Sequence, residues 1–561
     1  MRVLTDNSMH GARFRAFALF SAPDPSRLSH VKLRDRGVGK VLGMETVQTT
    51  ESAASRTAVV IPIFGGSADL PNCSPQAGPD RAEVGLPPAQ RLGPARVTTG
   101  DEEVELSVEL LRRMDVPGPR YTSYPTADRF VEAFDAKAYR HALAQRSIGG
   151  AACQPLSVYV HVPFCESICY YCGCNKVVTR DHSKSEPYLA ALEQELALVA
   201  HELGPRQVVS QLHFGGGTPT YLTDAQLDRL MGKLASTFKL AEGGEFSIEI
   251  DPRTVTVERL RHLHALGFNR VSFGVQDFDP DVQEAVHRIQ PFEQVEALMK
   301  AARDCGFLSI NADLIYGLPR QTPESFARTV QQIAGLRPDR IAMYGYAHLP
   351  QRFKPQRRIN DAELPTGGQR IEMLSGAIDG FLAAGYHYIG MDHFALPEDP
   401  LAIAKRQGRL HRNFQGYSTH PDCDLVALGV SAIGRIGPVY SQNAKTLDEY
   451  YEALHRQELP VVRGLALTRD DVLRRAVIMA IMCHGSVSFE SIDLAHLIDF
   501  RSYFAHELEA LEALVADGMV VHTDDGFEVT PQGWYFVRSV AMLFDRNLQA
   551  DRTRERFSKV I

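Results

Sequence analysis

The chain lacks any apolar run near the roughly 18 to 20 residues that a bilayer-spanning helix needs. Its one apolar stretch close to the start, FRAFALFSAP, is short and carries an arginine. No membrane span is predicted, and a soluble protein is expected. A long basic block is also missing: 60 Lys and Arg are outnumbered by 68 Asp and Glu, for a formal charge of -8, so there is no broad electrostatic footprint for nucleic acid. Cysteine is scarce, nine in 561 residues. An odd, clustered set without a secretory signal does not make the disulfide framework of a secreted protein. The compartment this predicts is a reducing cytoplasm.

Residues 1–104 lack sustained periodicity. They are rich in Ser, Pro, Gly, Arg and Ala, as in SAPDPSRLSH, a composition that does not bury a core, and disorder is expected there. Met44 is an alternative start within this extension. An Arg-rich targeting peptide is disfavoured, because Asp6, Asp24 and Asp35 interrupt it.

What is present begins at Ser157. Apolar runs at 157–163, 208–214, 245–252, 270–276, 308–318 and 340–349 alternate with segments of helical spacing, such as 185–203 and 223–238. Strand and helix in alternation imply a parallel sheet with right-handed crossovers, and six units suit a partial (β/α)6 barrel with its ligands at the carboxyl ends of the strands. We divide the chain at 105–155 (an N-terminal segment on the substrate side), 156–365 (the partial barrel), 366–465 (a region completing the barrel and pocket) and 466–561 (a mostly helical end). The hairpin pattern MVVHTDDGFEVTP at 519–531 makes that end winged-helix-like, a packing module or lid in preference to a DNA reader.

The unusual residues follow the strands. CESICYYCGC (165–174) comes after the first, GGGTPT (215–220) after the second, and EIDP, GVQ, DLIYGLP and YAHLP after the others. Thiolates at C-x3-C-x2-C on one loop suit a metal centre, either zinc or iron–sulfur. Structural zinc asks for four ligands, usually paired across two loops, and no second Cys pair exists. A four-iron cluster held by three cysteines would leave one iron open to a small molecule.

The C-x3-C-x2-C loop, with Tyr171 before its third cysteine and GGGTP downstream, resembles the radical S-adenosylmethionine superfamily. Within it, GPRYTSYPTA (118–127), YVHVPFCESICYYCGCNK (159–176), LHFGGGTPTYL (212–222), DLIYGLPRQTPESF (313–326), GMDHFA (390–395) and HRNFQGY (411–417) are similar to the oxygen-independent coproporphyrinogen III oxidase family, from about residue 105 to the end. The resemblance implies an oxidative decarboxylation of two propionates of coproporphyrinogen III to vinyl groups. A 5'-deoxyadenosyl radical made at a [4Fe-4S] cluster from S-adenosylmethionine would start it, because no side-chain base removes hydrogen from an unactivated carbon.

It also implies site residues. Cys165, Cys169 and Cys172 would hold the cluster, and Cys174 would be an extra cysteine beside it. Tyr159, Gly216, Glu249 and Ile433 match positions contacting the cluster-bound S-adenosylmethionine. Tyr171, Gly217, Thr218, Gln276, Arg288, Asp313 and Ala347 match positions around a second such molecule. The glycines at 215–217 are expected to let the cofactor approach the backbone. A substrate with four propionates asks for cations and aromatic faces, for which Arg120, Tyr121, Tyr124, Arg412 and Tyr417 are candidates. A flavodoxin- or ferredoxin-like electron donor and a monomeric state are expected. Cys153, Cys305, Cys423 and Cys483 read as plain hydrophobes. Two other readings remain: a haem-binding or haem-trafficking protein on the same fold, and a zinc-stabilised nucleic-acid-binding protein.

Overall fold

A computed structural model describes residues 95–550, apart from short breaks at 100–101, 107, 115, 149–153, 206 and 421–422. The expected disorder before residue 95 lies outside the described residues. At the end of that stretch the structure differs, since residues 95–99 and 102–106 pair as an antiparallel hairpin.

The six expected strands all form. They are β1 (Leu156–Val162), β2 (Val208–Gly216), β3 (Lys239–Ile250), β4 (Arg270–Gln276), β5 (Ser309–Tyr316) and β6 (Arg340–Gly345), each parallel to the next. The helices between them start where the sequence marks them. Thr223 caps the helix Asp224–Thr237 in a reciprocal pair with Gln226, and Thr322 with Ser325 does the same for Pro323–Leu336. Along Ser185–Leu203 the residues at helical spacing, Leu189, Leu192, Leu196 and Val199, are all buried. They cover the outer face of the sheet, which alternation makes apolar: Val158, Val160 and Val162 on β1, Leu212 and Phe214 on β2, and Ile248 and Ile250 on β3. Each such side chain contributes about 1.5–3 kcal/mol of burial.

The sheet extends beyond the six units. The hairpin β7 (His387–Gly390) and β8 (His393–Ala395) adds antiparallel to β6. On the opposite edge β1 pairs, in parallel, with a strand far along the chain, Asp424–Leu428. A small hairpin, β9 (His411–Asn413) and β10 (Gly416–Ser418), precedes that strand, which is β11. From β11 the sheet runs antiparallel through β12 (Ile433–Ile436), β13 (Val439–Asn443) and β14 (Val461–Ala466). The result is one twelve-stranded sheet, wider than six units and with a seventh parallel strand beside the first.

The C-terminal region follows the order of a winged helix. Arg469–His484 leads into strand β15 (Ser486–Ser488), three helical segments follow through Ala516, and β16 (Val520–Thr523) with β17 (Gly526–Val529) closes the sheet. It is bound to the N-terminal segment, since Arg538 Nε donates to the Pro119 carbonyl at 3.1 Å. No helix among the described residues is long and apolar enough to cross a membrane.

Candidate active site

The inner face of the barrel is polar. The alternation that sends Val158 and Leu212 outward points Tyr159, His213, Glu249, Ser272 and Asp313 inward, where they line a cavity of about 630 Å³. The interior is therefore a cavity that runs along the strands, from Arg270, Ser309 and Arg340 at their starts to Glu249 and Gln276 near their carboxyl ends, instead of packed layers of side chains.

The cysteine loop meets the cavity through His161, a lining residue whose Nε2 faces the Asn175 carbonyl at 3.1 Å. It springs from β1 and is tied at its base by the parallel pairing of Phe164–Cys165 with Val177–Val178. None of the described cysteines is in a disulfide. The thiols of Cys172 and Cys174 are hydrogen-bonded to each other, while Cys165 Sγ accepts from Thr218 Oγ1 at 3.5 Å, and Cys169 Sγ from the guanidiniums of Arg253 and Arg288, also at 3.5 Å. Among the described residues no three of His, Cys, Asp and Glu gather closely enough to share one metal ion. Three cysteines on one loop suit ligands to separate irons of one cluster, whereas a structural zinc asks for four ligands. The cationic and hydroxyl donors aimed at the sulfurs fit an anionic thiolate cluster. Cys174 is exposed, on the same loop, and Lys176 Nζ braces that turn through the carbonyls of Cys172 at 3.2 Å and Cys174 at 3.3 Å.

The glycine turn is packed closely against protein atoms. A Cβ on Gly215 would lie 2.8 Å from the Glu249 carboxylate, one on Gly216 2.7 Å from the His161 ring, and one on Gly217 2.6 Å from the Pro163 carbonyl. Protein atoms fill the side where side chains would go. Gly216 also has φ 118, a left-handed value natural only to glycine. What the glycines admit is Glu249 and His161 themselves.

Those two residues organise the floor of the site. Glu249 Oε2 accepts the Gly216 N–H at 3.1 Å, and its Oε1 accepts His213 Nε2 at 3.2 Å. Burial pushes the carboxyl up, yet these hydrogen bonds hold its pKa below the ordinary value. His161 Nε2 faces the Asn175 carbonyl at 3.1 Å and therefore carries the proton, which leaves Nδ1 to accept from the Tyr159 hydroxyl at 3.0 Å. Across the cavity Asp313 accepts from Ser272 Oγ at 2.7 Å and Asn311 Nδ2 at 2.9 Å. Burial dominates there, and its pKa is raised to about 6. Gln276 (φ 69) and Ile433 complete the lining.

The remaining residues expected around a cofactor are tied to the loop or to its neighbours. Arg288 is 6% exposed, donates to Asp251 Oδ2 at 3.1 Å and to the Gly274 carbonyl at 2.5 Å, and leaves its Nε without a partner. Gln356 Nε2 joins the carbonyls of Tyr171 (2.9 Å) and Ala347 (3.1 Å). Thr218 is on Cys165, as above.

The candidates for substrate contacts divide. Arg120 stacks over Tyr344, whose ring lines the cavity, at 5.3 Å. Arg412 lies over Tyr417 at 4.5 Å and donates Nη2 to the Arg120 carbonyl at 3.3 Å; it is 6% exposed, and its Nε and Nη1 have no partner. Arg120, Arg412 and Arg538 surround one carboxylate, Asp392, whose pKa burial raises against their pull. Positive charge is in excess there. Tyr121 departs from expectation, being 1% exposed with its hydroxyl on Asp545 Oδ2 at 3.0 Å. Tyr124 is fully buried. Of the five candidates Tyr417 lines the cavity itself, and Arg120, Tyr121, Tyr124 and Arg412 do not.

Several residues went unnoticed in the sequence, among them His161, His213, Ser272 and Asn311. Each stands at alternate positions with a residue that was noticed, as Tyr159 with His161 and Asn311 with Asp313. A polar residue on the period-two face of an otherwise apolar strand was the available signal.

A parallel α/β sheet with three unbridged cysteines after its first strand and a glycine turn after its second defines the radical S-adenosylmethionine class. The Radical SAM superfamily model matches residues 159–333, and that of the HemN C-terminal domain matches residues 467–536. The oxygen-independent coproporphyrinogen III oxidase of Pseudomonas aeruginosa is 51% identical over 462 residues, 82% of this chain and 100% of its own. That of Escherichia coli K12 is 47% identical over 460 residues, 82% of this chain and 99% of its own. A solved structure of the Escherichia coli coproporphyrinogen III oxidase (HemN), described as a radical SAM enzyme, superposes with TM-score 0.74 at 48% identity, covering 76% of this chain and 98% of that one. The chain belongs to the oxygen-independent coproporphyrinogen III oxidase family, whose cofactors are a [4Fe-4S] cluster and S-adenosylmethionine.

Proposed function

We propose that the chain converts two propionate side chains of coproporphyrinogen III to vinyl groups, giving protoporphyrinogen IX and two molecules of carbon dioxide without oxygen. The observation that carries this reading is the juxtaposition of the cysteine loop with a polar cavity flanked by excess arginine. Held by Cys165, Cys169 and Cys172, a [4Fe-4S] cluster with S-adenosylmethionine supplies a radical able to take hydrogen from the propionate β-carbon.

The protein's own part is binding and orientation. Glu249, fixed by His213 and the Gly216 N–H, would accept a hydrogen bond from the amine of the cofactor's methionine. Tyr159, held by His161, and Ile433 would contact the same molecule, while Arg288, Asp313, Gln276, Gly217, Thr218, Tyr171 and Ala347 would contact a second one. Arg412, with two unpaired donors, and Arg120 take substrate carboxylates. Each propionate gives up a hydrogen atom, carbon dioxide and one electron, and that electron leaves to an acceptor outside the chain. We place the enzyme in the cytoplasm as a monomer.

The test is anaerobic. After reconstitution and reduction, S-adenosylmethionine and coproporphyrinogen III are added, and 5'-deoxyadenosine and protoporphyrinogen IX are quantified. Both products are expected together. Deoxyadenosine alone would reassign the substrate, and neither product from a fully loaded protein would favour haem trafficking.

A further inference from the structure

The cysteine loop carries a basic cover. Residues 349–360 hold four cations, Arg352, Lys354, Arg357 and Arg358, and no carboxylate, in a chain of net charge -8. All four are exposed. The segment lies directly on the loop. The Phe353 ring closes over Gly173, where a Cβ would meet it at 3.2 Å; Arg358 stacks on Tyr170 at 5.3 Å; and Gln356 holds the Tyr171 carbonyl.

A second strip of positive charge meets it. Asn175, just past Cys174, donates Nδ2 to the Lys445 carbonyl at 2.9 Å, which fixes Lys445 beside the loop. The charges of Arg352 and Arg463 both push the Lys445 ammonium toward its neutral form, after the larger effect of burial. Like charges are thus crowded together. Among the described residues none of Arg352, Lys354, Arg357, Arg358 and Lys445 makes an ion pair. The carboxylates nearby are engaged or set apart: Asp361 holds His348, Glu363 holds Arg320, and Asp128 and Glu132 act on Arg463.

Unpaired cations gathered on an acidic protein serve a partner of opposite sign. The partner here must approach the cysteine loop and deliver single electrons to it, a requirement that rests on the functional reading above. We propose that the rim formed by Arg352, Lys354, Arg357, Arg358 and Lys445 is the docking surface of an acidic one-electron donor protein of the flavodoxin kind. The donor's negative face meets the rim, and its electron enters the cluster past Gly173 and Cys174.

The test compares two reductants on the cluster-loaded protein: an acidic flavodoxin, photochemically reduced, and dithionite, which needs no docking. Bleaching of the cluster absorbance is followed by stopped flow for the wild type and for Arg352→Glu/Lys354→Glu/Lys445→Glu. The variant is expected to lose about tenfold or more in the flavodoxin rate at low ionic strength, and most of its salt dependence, with the dithionite rate unchanged. A second measurement needs no variant, because the wild-type flavodoxin rate is expected to fall steeply as salt rises. Equal flavodoxin rates in variant and wild type, or a wild-type rate indifferent to salt, would overturn the docking surface while leaving the oxidase reading intact. A wild-type protein that dithionite cannot reduce would overturn that reading and the docking surface with it.

Discussion

Glu195 gives the most quantitative test of how the barrel supports its site. It sits on the helix Ser185–Leu203, is 2% exposed, and accepts from the Gly429 N–H at 2.7 Å, the Tyr450 hydroxyl at 2.6 Å and Asn443 Nδ2 at 2.6 Å. Those bonds fix the turn that leads from β11 to Ile433, a cavity position. Burial pushes the pKa of Glu195 up from 4.5 to about 7, against the pull of the three donors. A carboxyl whose folded pKa is raised binds more protons folded than unfolded between those values. Stability is therefore greatest on the acid side and declines as pH rises from about 4.5 to about 7. The whole interval corresponds to roughly 3 kcal/mol, at about 1.4 kcal/mol per pH unit in its middle. Glu195→Gln cannot titrate. Its melting temperature, followed from pH 5 to 8 on the cluster-free protein, is expected to lack this decline, so that wild type and variant diverge with pH. Parallel pH profiles would refute the assignment of a neutralising, buried carboxyl. Glu195→Ala strands buried donors instead, at about 1–3 kcal/mol for each, and should weaken S-adenosylmethionine binding through the loosened Ile433 turn.

Cys169→Ala should lose both the cluster's absorbance and turnover, whereas Cys174→Ala should keep the absorbance and lose activity; loss of the cluster in the latter would end the division into three ligands and one companion. Arg412→Met should raise KM for coproporphyrinogen III by about tenfold or more, the worth of one charged hydrogen bond, and an unchanged KM would remove Arg412 from the substrate pocket. Asp545→Ala should leave the Tyr121 hydroxyl unsatisfied and cost about 1–3 kcal/mol of stability, read as a lower melting temperature at unchanged KM. A KM effect matching that of Arg412→Met would return Tyr121 to the pocket.

Six strands and the helices covering them were legible because turn residues separate them and each pairs with its sequence neighbour. β11 was not legible in the same way, since its partner β1 lies in another part of the chain and no local pattern records that pairing. The cysteines stood out as a cluster on one loop, whereas Glu249 and Asp313 were legible only through the family resemblance, since a carboxylate near a strand end can equally cap a turn. The glycines were noticed, but not the whole cause of their presence. Their sequence shows that a Cβ is unwelcome but not which atoms exclude it, and Glu249 and His161 come from other strands. Tyr121 failed for a related reason. An aromatic residue near an arginine resembles a substrate contact, but its hydroxyl partner, Asp545, lies 424 positions away.

The pairing of β1 with β11 also bears on how the molecule is made. β1 carries the cysteine loop, and one of its edges is covered only by Asp424–Leu428. While the ribosome is still translating the middle of the chain, that edge stays open, a template for pairing with other chains, and the wall of the cavity bearing Ile433 does not yet exist. Fragments ending before residue 424 are expected to aggregate when expressed. Cluster insertion into a properly formed site then becomes a late event in biosynthesis, coming after synthesis of the barrel's last wall.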